Sequence, residues 1–332
     1  MATLCGRQQA DQLIDYDTPT GQEKMPLWKF VDTIIADLGE RFMTNPLAGF
    51  FPLIRLTGQD ARYLDNAYRF RDAMRKLIED KKKTPSSEDE TDSIDMFRVL
   101  IEDDYYKDKP EEIINEVIVM FAAGMKTIQV STTNVIQFLH FNPEYKKRLL
   151  EEIEGPLNEI SDDFMTKLTT DVVEDFSFTR NCFYESMRLH PPAPLSSTSC
   201  FSKDITINGV HFPKDSAFYI NIMGMNRDSE EWQRPDEFLP DRFDSESPLY
   251  ARPDGGKRNP LTFSPFLGGK RICLGKTFAE TTIRLTLPLL FYHFDFETVT
   301  PDQELVRYIP GGVKDPEVPF RVITKRKMTQ KI

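Results

Sequence analysis

Residues 117–125 (VIVMFAAGM) are apolar on every side of a helix. A helix without a polar face is not stable on a wet surface, so this one is expected to run through the middle of the protein with other elements around it. Its start is also readable. Pro110 suits the first helical position, where its missing N–H costs nothing. Glu111 and Glu112 place acids in the first turn, which the helix dipole favours. Whatever the chain folds into must supply helices to surround this one.

The flanking segments do so. Residues 26–42 set Leu27, Phe30, Ile34, Leu38 and Phe42 at spacings of three and four, one apolar stripe. Residues 60–80 repeat the pattern with Tyr63, Ala67, Phe70, Met74, Leu77 and Ile78. Further helices are expected after Pro143 and over about 171–190. The period then changes. Residues 205–212 read as a hairpin around Asn208-Gly209, 217–223 as a buried strand, and 320–324 as another strand, with a last helix starting near Leu274. The class is therefore mainly α with a minor β part late in the chain.

Composition narrows the function classes. Lys and Arg number 42 against 53 Asp and Glu, a net charge of −11, so a nucleic-acid backbone is not an expected partner. With 39% hydrophobic residues, the chain is too apolar to be disordered. Cys5, Cys182, Cys200 and Cys273 are scattered, with no C-x-x-C pair, which argues against a disulfide framework or a structural zinc site. Residues 1–10 show no signal-peptide pattern, and uninterrupted apolar runs fall short of a membrane span. A soluble or monotopic protein is expected. Residues 42–56 carry Leu47, Phe50, Phe51, Leu53 and Ile54 in a loop broken by Pro46, Gly49 and Pro52. Such a loop either tucks onto the core or dips into a membrane interface. Residues 84–93 are expected to be a mobile charged loop.

Residues 263–279 (FSPFLGGKRICLGKTFA) carry the most chemistry. Cys273 lies between a Gly-rich loop and the start of a helix, where backbone N–H groups and the positive dipole end favour a thiolate. Gly268 and Gly269 permit a tight turn. Gly275 lets the helix approach a flat object, Phe266 can cover the sulfur, and Arg271 supplies a fixed positive charge. On these residues alone Cys273 is a nucleophile, a metal ligand or a buried structural thiol.

The spacing Phe266-x-x-Gly269-x-Arg271-x-Cys273-x-Gly275 matches the haem-binding signature of the cytochrome P450 superfamily at every defined position. Three further stretches resemble that family in the same order. Ala123-Gly124-Met125-Lys126-Thr127 sits where its oxygen-binding helix carries A-G-x-D/E-T. Glu185-Ser186-Met187-Arg188 matches its E-x-x-R motif, two partners on one helix face. Arg242 matches the Arg that completes a Glu–Arg–Arg network.

The resemblance implies a cytochrome P450-like fold, a single haem-thiolate domain over 1–332 that lacks the family's N-terminal anchor, first strands and early helices. It implies haem b, with Cys273 as the axial thiolate of the iron and Phe266, Gly269, Arg271 and Gly275 around it. Thr127 and Lys126 would stand at the proton-delivery position, and Glu185, Arg188 and Arg242 would be structural. Residues 122–127, 195–198 and 309–313 would line the distal pocket. The implied activity is a monooxygenase that inserts one atom of O₂ into an apolar organic substrate. Its electrons would come from NADPH through a separate reductase, because the chain shows no flavin or nicotinamide motif. The implied location is the cytoplasmic side, soluble or peripherally on the endoplasmic reticulum membrane, with possible contact through 42–56.

Two positions depart from the pattern. Lys126 stands where an acid is usual, and a Lys serves in acid–base work only if desolvation lowers its pKa. No acid lies at Ala122 or Val130 to pair with it along the helix, so Lys126 is expected to reach solvent or a partner from another segment. Ser199 stands where the family has a propionate-binding Arg. Two other functions therefore stay open. One is a haem-thiolate enzyme that does not activate O₂: an isomerase, dehydratase or peroxygenase. The other is an inactive haem-binding protein or partial gene product.

Overall fold

The first element is one that no periodicity announced. Leu13–Thr18 (β1) and Gly21–Pro26 (β2) form an antiparallel hairpin with Leu13 opposite Pro26. Only Ile14, Tyr16 and Met25 are buried in it, and β2 opens with Gly-Gln-Glu-Lys, so the alternation is too thin to read. The β part is thus not confined to the late chain. The computed structural model describes residues 11–45, 47–48, 50–83, 96–161, 163–298, 306–308, 314–316 and 320–325. The expected charged loop at 84–93 lies outside these residues.

The described residues up to Lys126 form one compact unit, and those from Thr127 a second. The first holds the hairpin, α1 (Leu27–Thr44), α2 (Gly58–Lys83), α3 (Met96–Glu102) and the leading half of α4 (Pro110–Phe141). Its core is built from the two predicted stripes and the apolar helix: Leu27, Phe30 and Ile34 meet Phe70, Met74 and Ile78, with Ile113, Val117 and Phe121 of α4 in the same cluster. Each fully buried side chain of this size contributes about 1.5–3 kcal/mol of transfer free energy. The hairpin is fastened by polar side chains as well. Asn66 and Arg69 of α2 donate to the Asp17 backbone carbonyl and carboxylate, and the Tyr16 hydroxyl donates to Asp37.

The second unit takes the trailing half of α4, followed by α5 (Pro143–Glu159), α6 (Phe164–Lys167), α7 (Thr170–Glu174) and α8 (Ser177–Leu189). The helix expected over 171–190 is therefore broken between Glu174 and Ser177. Glu152 of α5 accepts from the Phe178 and Thr179 N–H groups and so caps the restart. Small antiparallel pairs follow: β3 (Ser199–Cys200), β4 (Ile205–Ile207), β5 (Val210–Phe212) and β6 (Ala217–Phe218). Asn208 and Gly209 take φ of 48° and 81°, the left-handed values a two-residue hairpin turn needs. The buried strand expected over 217–223 is a correction. Ala217–Phe218 pair with β3, Asn221 makes only an isolated bridge to Leu195, and residues 219–221 are exposed. The Asn221 side chain then accepts from the Gly224 N–H and turns the chain into α9 (Ile222–Met225). The last helix, α10 (Lys276–His293), leads into β7 (Phe294–Thr298), which pairs antiparallel with β10 (Phe320–Thr324); β8 (Val306–Tyr308) pairs with β9 (Lys314–Pro316).

By length and composition, α4 is a helix that could cross a membrane, with 28% of its most apolar window buried. Counting uninterrupted apolar runs misses this, because Lys126 and the Thr, Ser and Gln side chains divide a stretch whose average remains apolar. Core helices of soluble proteins satisfy the same criterion.

Candidate functional site

Glu185 and Arg188 lie one turn apart on α8 and are fully buried. Their pairing is bidentate: Arg188 Nε to Glu185 Oε2 at 2.7 Å and Nη2 to Oε1 at 2.8 Å. Arg242, in the short turn Pro240–Phe243, donates its Nε to Oε1 at 3.0 Å, and the Leu239 N–H donates to the same oxygen at 2.9 Å. One carboxylate thus faces two guanidinium groups. Backbone carbonyls take the remaining N–H groups: Asn226, Pro235 and Glu237 receive Arg188, while Gln233 and Arg234 receive Arg242. Burial holds the Arg242 guanidinium below its ordinary pKa, and the Glu185 charge opposes that shift. The predicted network is therefore assembled, and it fastens 226–242 to α8.

Two residues outside every motif complete it. Trp232 is fully buried. The guanidinium carbon of Arg258 stands 3.9 Å from its ring centroid and that of Arg188 5.0 Å. A desolvated contact of this kind is worth up to about 2 kcal/mol. Burial, followed by the neighbouring Arg242 charge, lowers the Arg258 pKa to about 10. Beside them lies an aromatic cluster: Phe263 meets Phe243 at 4.9 Å, Tyr184 at 5.7 Å and Trp232 at 6.3 Å between ring centroids. Tyr184, next to Glu185 in sequence, donates to Glu280 of α10 at 3.1 Å, and burial raises its pKa to about 12. Neither Trp232 nor Arg258 belongs to a fixed-spacing pattern, so only the fold reveals them.

Phe263 opens the segment that ends at Cys273. Within it Leu267 and Gly269 take φ of 59° and 64°. The left-handed conformation is ordinary for Gly but costs a branched residue such as Leu on the order of 1–3 kcal/mol, a cost retained mainly where a loop has work to do. The Cys273 N–H donates to the Phe266 carbonyl at 2.9 Å, closing the loop, and α10 begins three residues later with Gly275 at its N-cap. A Cβ added at Gly275 would stand 3.9 Å from the Cys273 Sγ. Cys273 and Arg271 are exposed, Phe266 is half-buried against the second core, and Leu274 is 91% exposed beside Ile272. A thiol with open access, set between exposed apolar neighbours, fits a broad apolar group bound through a central metal. Cys182 does not fit, since it is buried and its thiol pKa is pushed up by desolvation. Among the described residues no group of three or more His, Cys, Asp or Glu could hold a metal ion.

Along α4, Lys126 has the partner from another segment that its sequence context called for: its Nζ lies 3.9 Å from Asp32 Oδ1 of α1. Thr127 is half-buried, and a Cβ at Gly124 would meet nothing within 4 Å, so the notch there is open. In the 195–198 stretch, Leu195 bridges Asn221 and the Ser196 hydroxyl accepts from the Ile220 N–H. Ser199 sits in β3 opposite Phe218. Residues 309–313 and Cys5 lie outside the described residues. A surface cleft of about 560 Å³, lined by Gln137, Phe138, Tyr145, Arg234 and Phe238 among others, includes none of the predicted site residues.

The family model described as Cytochrome P450 matches residues 15–323. The chain belongs to the cytochrome P450 family. Among curated relatives it is 28% identical to Cytochrome P450 71B38 of Arabidopsis thaliana over 80% of this chain and 53% of that protein. It is 33% identical to Cytochrome P450 4d2 of Drosophila melanogaster over 58% of this chain and 36% of that protein. Against Indolin-2-one monooxygenase of Zea mays the identity is 28%, over 74% and 45%. This P450 chain thus spans about half the length, or less, of the curated relatives it matches. A solved structure, a retinoic acid-bound cyanobacterial CYP120A1, superposes with a TM-score of 0.70 at 21% identity, covering 91% of this chain and 64% of the other. That likeness establishes the cytochrome P450 fold, mainly helical with small sheets. Membership implies haem, its iron held by a cysteine thiolate.

Proposed function

We propose that this P450 chain carries a haem-thiolate monooxygenase activity, inserting one oxygen atom of O₂ into an apolar organic substrate with electrons from NADPH through a separate reductase. The observation that carries the proposal is Cys273, exposed on a strained loop and hydrogen-bonded back to Phe266 at the start of α10. When bound, the haem supplies the oxygen chemistry, with the thiolate donating electron density that favours O–O cleavage. The rest is done by side chains. Cys273 holds the iron. Phe266 anchors the loop by packing against the second core and accepting from the Cys273 N–H, Gly275 keeps α10 close, and Gly269 allows the turn. Arg271 adds positive charge nearby. Thr127 holds a proton at its hydroxyl oxygen, and Lys126, held toward Asp32, supplies no acid beside it. Glu185, Arg188 and Arg242 keep the segment before the Cys273 loop in place. Two measurements together test the activity: a thiolate-type band in the reduced–CO spectrum, and stoichiometric use of NADPH and O₂ with product. Turnover without O₂ consumption would overturn it.

The Lys126–Asp32 pair also favours a second reading within the same chemistry. With the usual acid replaced by a committed cation, the enzyme would isomerise, dehydrate or use peroxide and not activate O₂. Peroxide-supported turnover that exceeds NADPH-supported turnover would select it.

A peripheral membrane contact fits residues 42–56. Arg41 donates to the Ile54 carbonyl at 2.9 Å and pairs with Asp60 at 3.1 Å, both side chains buried, so the loop rests on a fixed base. From that base Leu47, Phe50 (81% exposed), Phe51, Leu53 and Leu56 stand out into solvent. The apolar load is not tucked onto the core. It suits the cytoplasmic face of an endoplasmic reticulum membrane.

A further inference from the structure

We propose that Arg258 is a positioning residue that locks the base of the Cys273 loop onto the buried Glu185 network through Trp232. The inference rests on Cys273 being the haem ligand only for its spectroscopic consequence; its structural part concerns this chain alone.

Arg258 lies five residues before Phe263, at the entrance to the Cys273 segment. Its Nη2 donates to the Leu249 carbonyl at 2.9 Å, and its guanidinium carbon sits 3.9 Å above the Trp232 ring. Its Nε is buried without a hydrogen-bond partner among the described residues, and so is the Trp232 Nε1. The ring face and two backbone carbonyls, those of Leu249 and of Arg242 (3.5 Å from Nη1), are therefore the counterparts of this cation. Trp232 in turn meets Phe243 at 6.0 Å and Phe263 at 6.3 Å. Arg188, bidentate to Glu185, stands over the same indole at 5.0 Å. A continuous path thus runs from the Glu185 carboxylate through Arg188 and Trp232 to Arg258 and Phe263, and Phe263 leads within three residues to Phe266, whose carbonyl receives the Cys273 N–H.

The arrangement uses properties particular to Arg. Two guanidinium groups, those of Arg188 and Arg242, meet the Glu185 carboxylate, and Arg258, whose Nη1 lies 3.5 Å from the Arg242 carbonyl, adds a third positive charge beside them. The excess positive charge is tolerated only because ring faces and carbonyl oxygens accept it. A planar guanidinium can stack on an indole and donate in its own plane at once, whereas an ammonium cannot. Arg258→Met keeps the length of the stem and removes the cation. Arg258→Lys keeps the charge and removes the fork.

The test reads hydrogen–deuterium exchange in peptides covering 263–275 in the wild type, Arg258→Met and Arg258→Lys, with peptides of α5 as the internal control. The expected result is exchange faster by about tenfold or more at 263–275 in Arg258→Met, with an intermediate effect in Arg258→Lys and unchanged α5. Equal exchange at 263–275, or acceleration spread evenly over α5, would overturn the proposal and leave Arg258 a general packing residue. The same proteins are then compared, haem-loaded, for the fraction of reduced–CO signal in the thiolate-type band. A fall in Arg258→Met with partial rescue by Arg258→Lys supports positioning of the Cys273 thiolate. A wild type lacking that band would count against Cys273 as the ligand, while the exchange result would still decide the role of Arg258.

Discussion

Arg242 Nε lies 3.0 Å from Glu185 Oε1, although 57 residues separate the two and neither is accessible to solvent. That contact converts a helix-surface pairing between Glu185 and Arg188 into a clamp on a distant segment. The clamp has one carboxylate for two cations, so its removal is felt on both sides. Glu185→Ala leaves two buried guanidinium groups uncompensated, a loss on the order of 3–5 kcal/mol. Denaturant titration and haem content are the measurements. Glu185→Ala protein that melts with the wild type and retains haem would disprove the clamp.

Tyr184 connects the same helix to α10 through Glu280 and packs on Phe263. Its pKa is raised to about 12 in the fold, chiefly by burial, against about 10 in an unfolded chain. A folded-state pKa above the unfolded value means a contribution fully present below pH 10 and lost as pH rises toward 12. Stability should therefore fall through that window, and the fall should be shallower in Tyr184→Phe. Urea midpoints at stepped pH check this; identical slopes in the two proteins would contradict it.

The apolar stripes at 26–42 and 60–80 were legible because helix burial writes a period of three and four into sequence, and they became core. The run at 117–125, expected to be surrounded, is a correction: Val117 and Phe121 join that core, while Val119 is 62% exposed. The Cys273 loop and the E-x-x-R pair were legible for another reason: their spacing is fixed by local backbone. What remained hidden depends on distance in space. The β1–β2 hairpin has only three buried apolar side chains. Trp232 and Arg258, 26 positions apart, meet with no motif, and Asp32 pairs with Lys126 only because α1 and α4 are packed in one core. The strand expected at 217–223 failed because Tyr219 and Ile220 stand exposed and Asn221 ends it with a cap.

In the activity proposed above, position 126 supplies no acid beside Thr127, because Lys126 is held toward Asp32. Restoring an acid with Lys126→Asp or Lys126→Glu should raise the product formed per NADPH oxidised. Both proteins need comparison with the wild type under the same reductase. Unchanged or lower coupling in both variants would favour chemistry that does not activate O₂.

Phe50 and Phe51 stand out from a loop fixed by Arg41 and Asp60. Replacing both by Ser removes most of the exposed aromatic surface without touching that base. Flotation with phosphatidylcholine–phosphatidylserine liposomes should carry a smaller fraction of the double variant than of the wild type. Equal flotation would exclude these side chains as the contact.

The most direct measurement is the reduced–CO difference spectrum of haem-reconstituted wild type beside Cys273→Ser, with Cys5→Ser, Cys182→Ser and Cys200→Ser as companions. The expected result is a thiolate-type band in the wild type and the three companions, and its complete loss in Cys273→Ser alone. A thiolate-type band that survives in Cys273→Ser, or one that disappears in any of the other three, would contradict the assignment of Cys273 as the iron ligand.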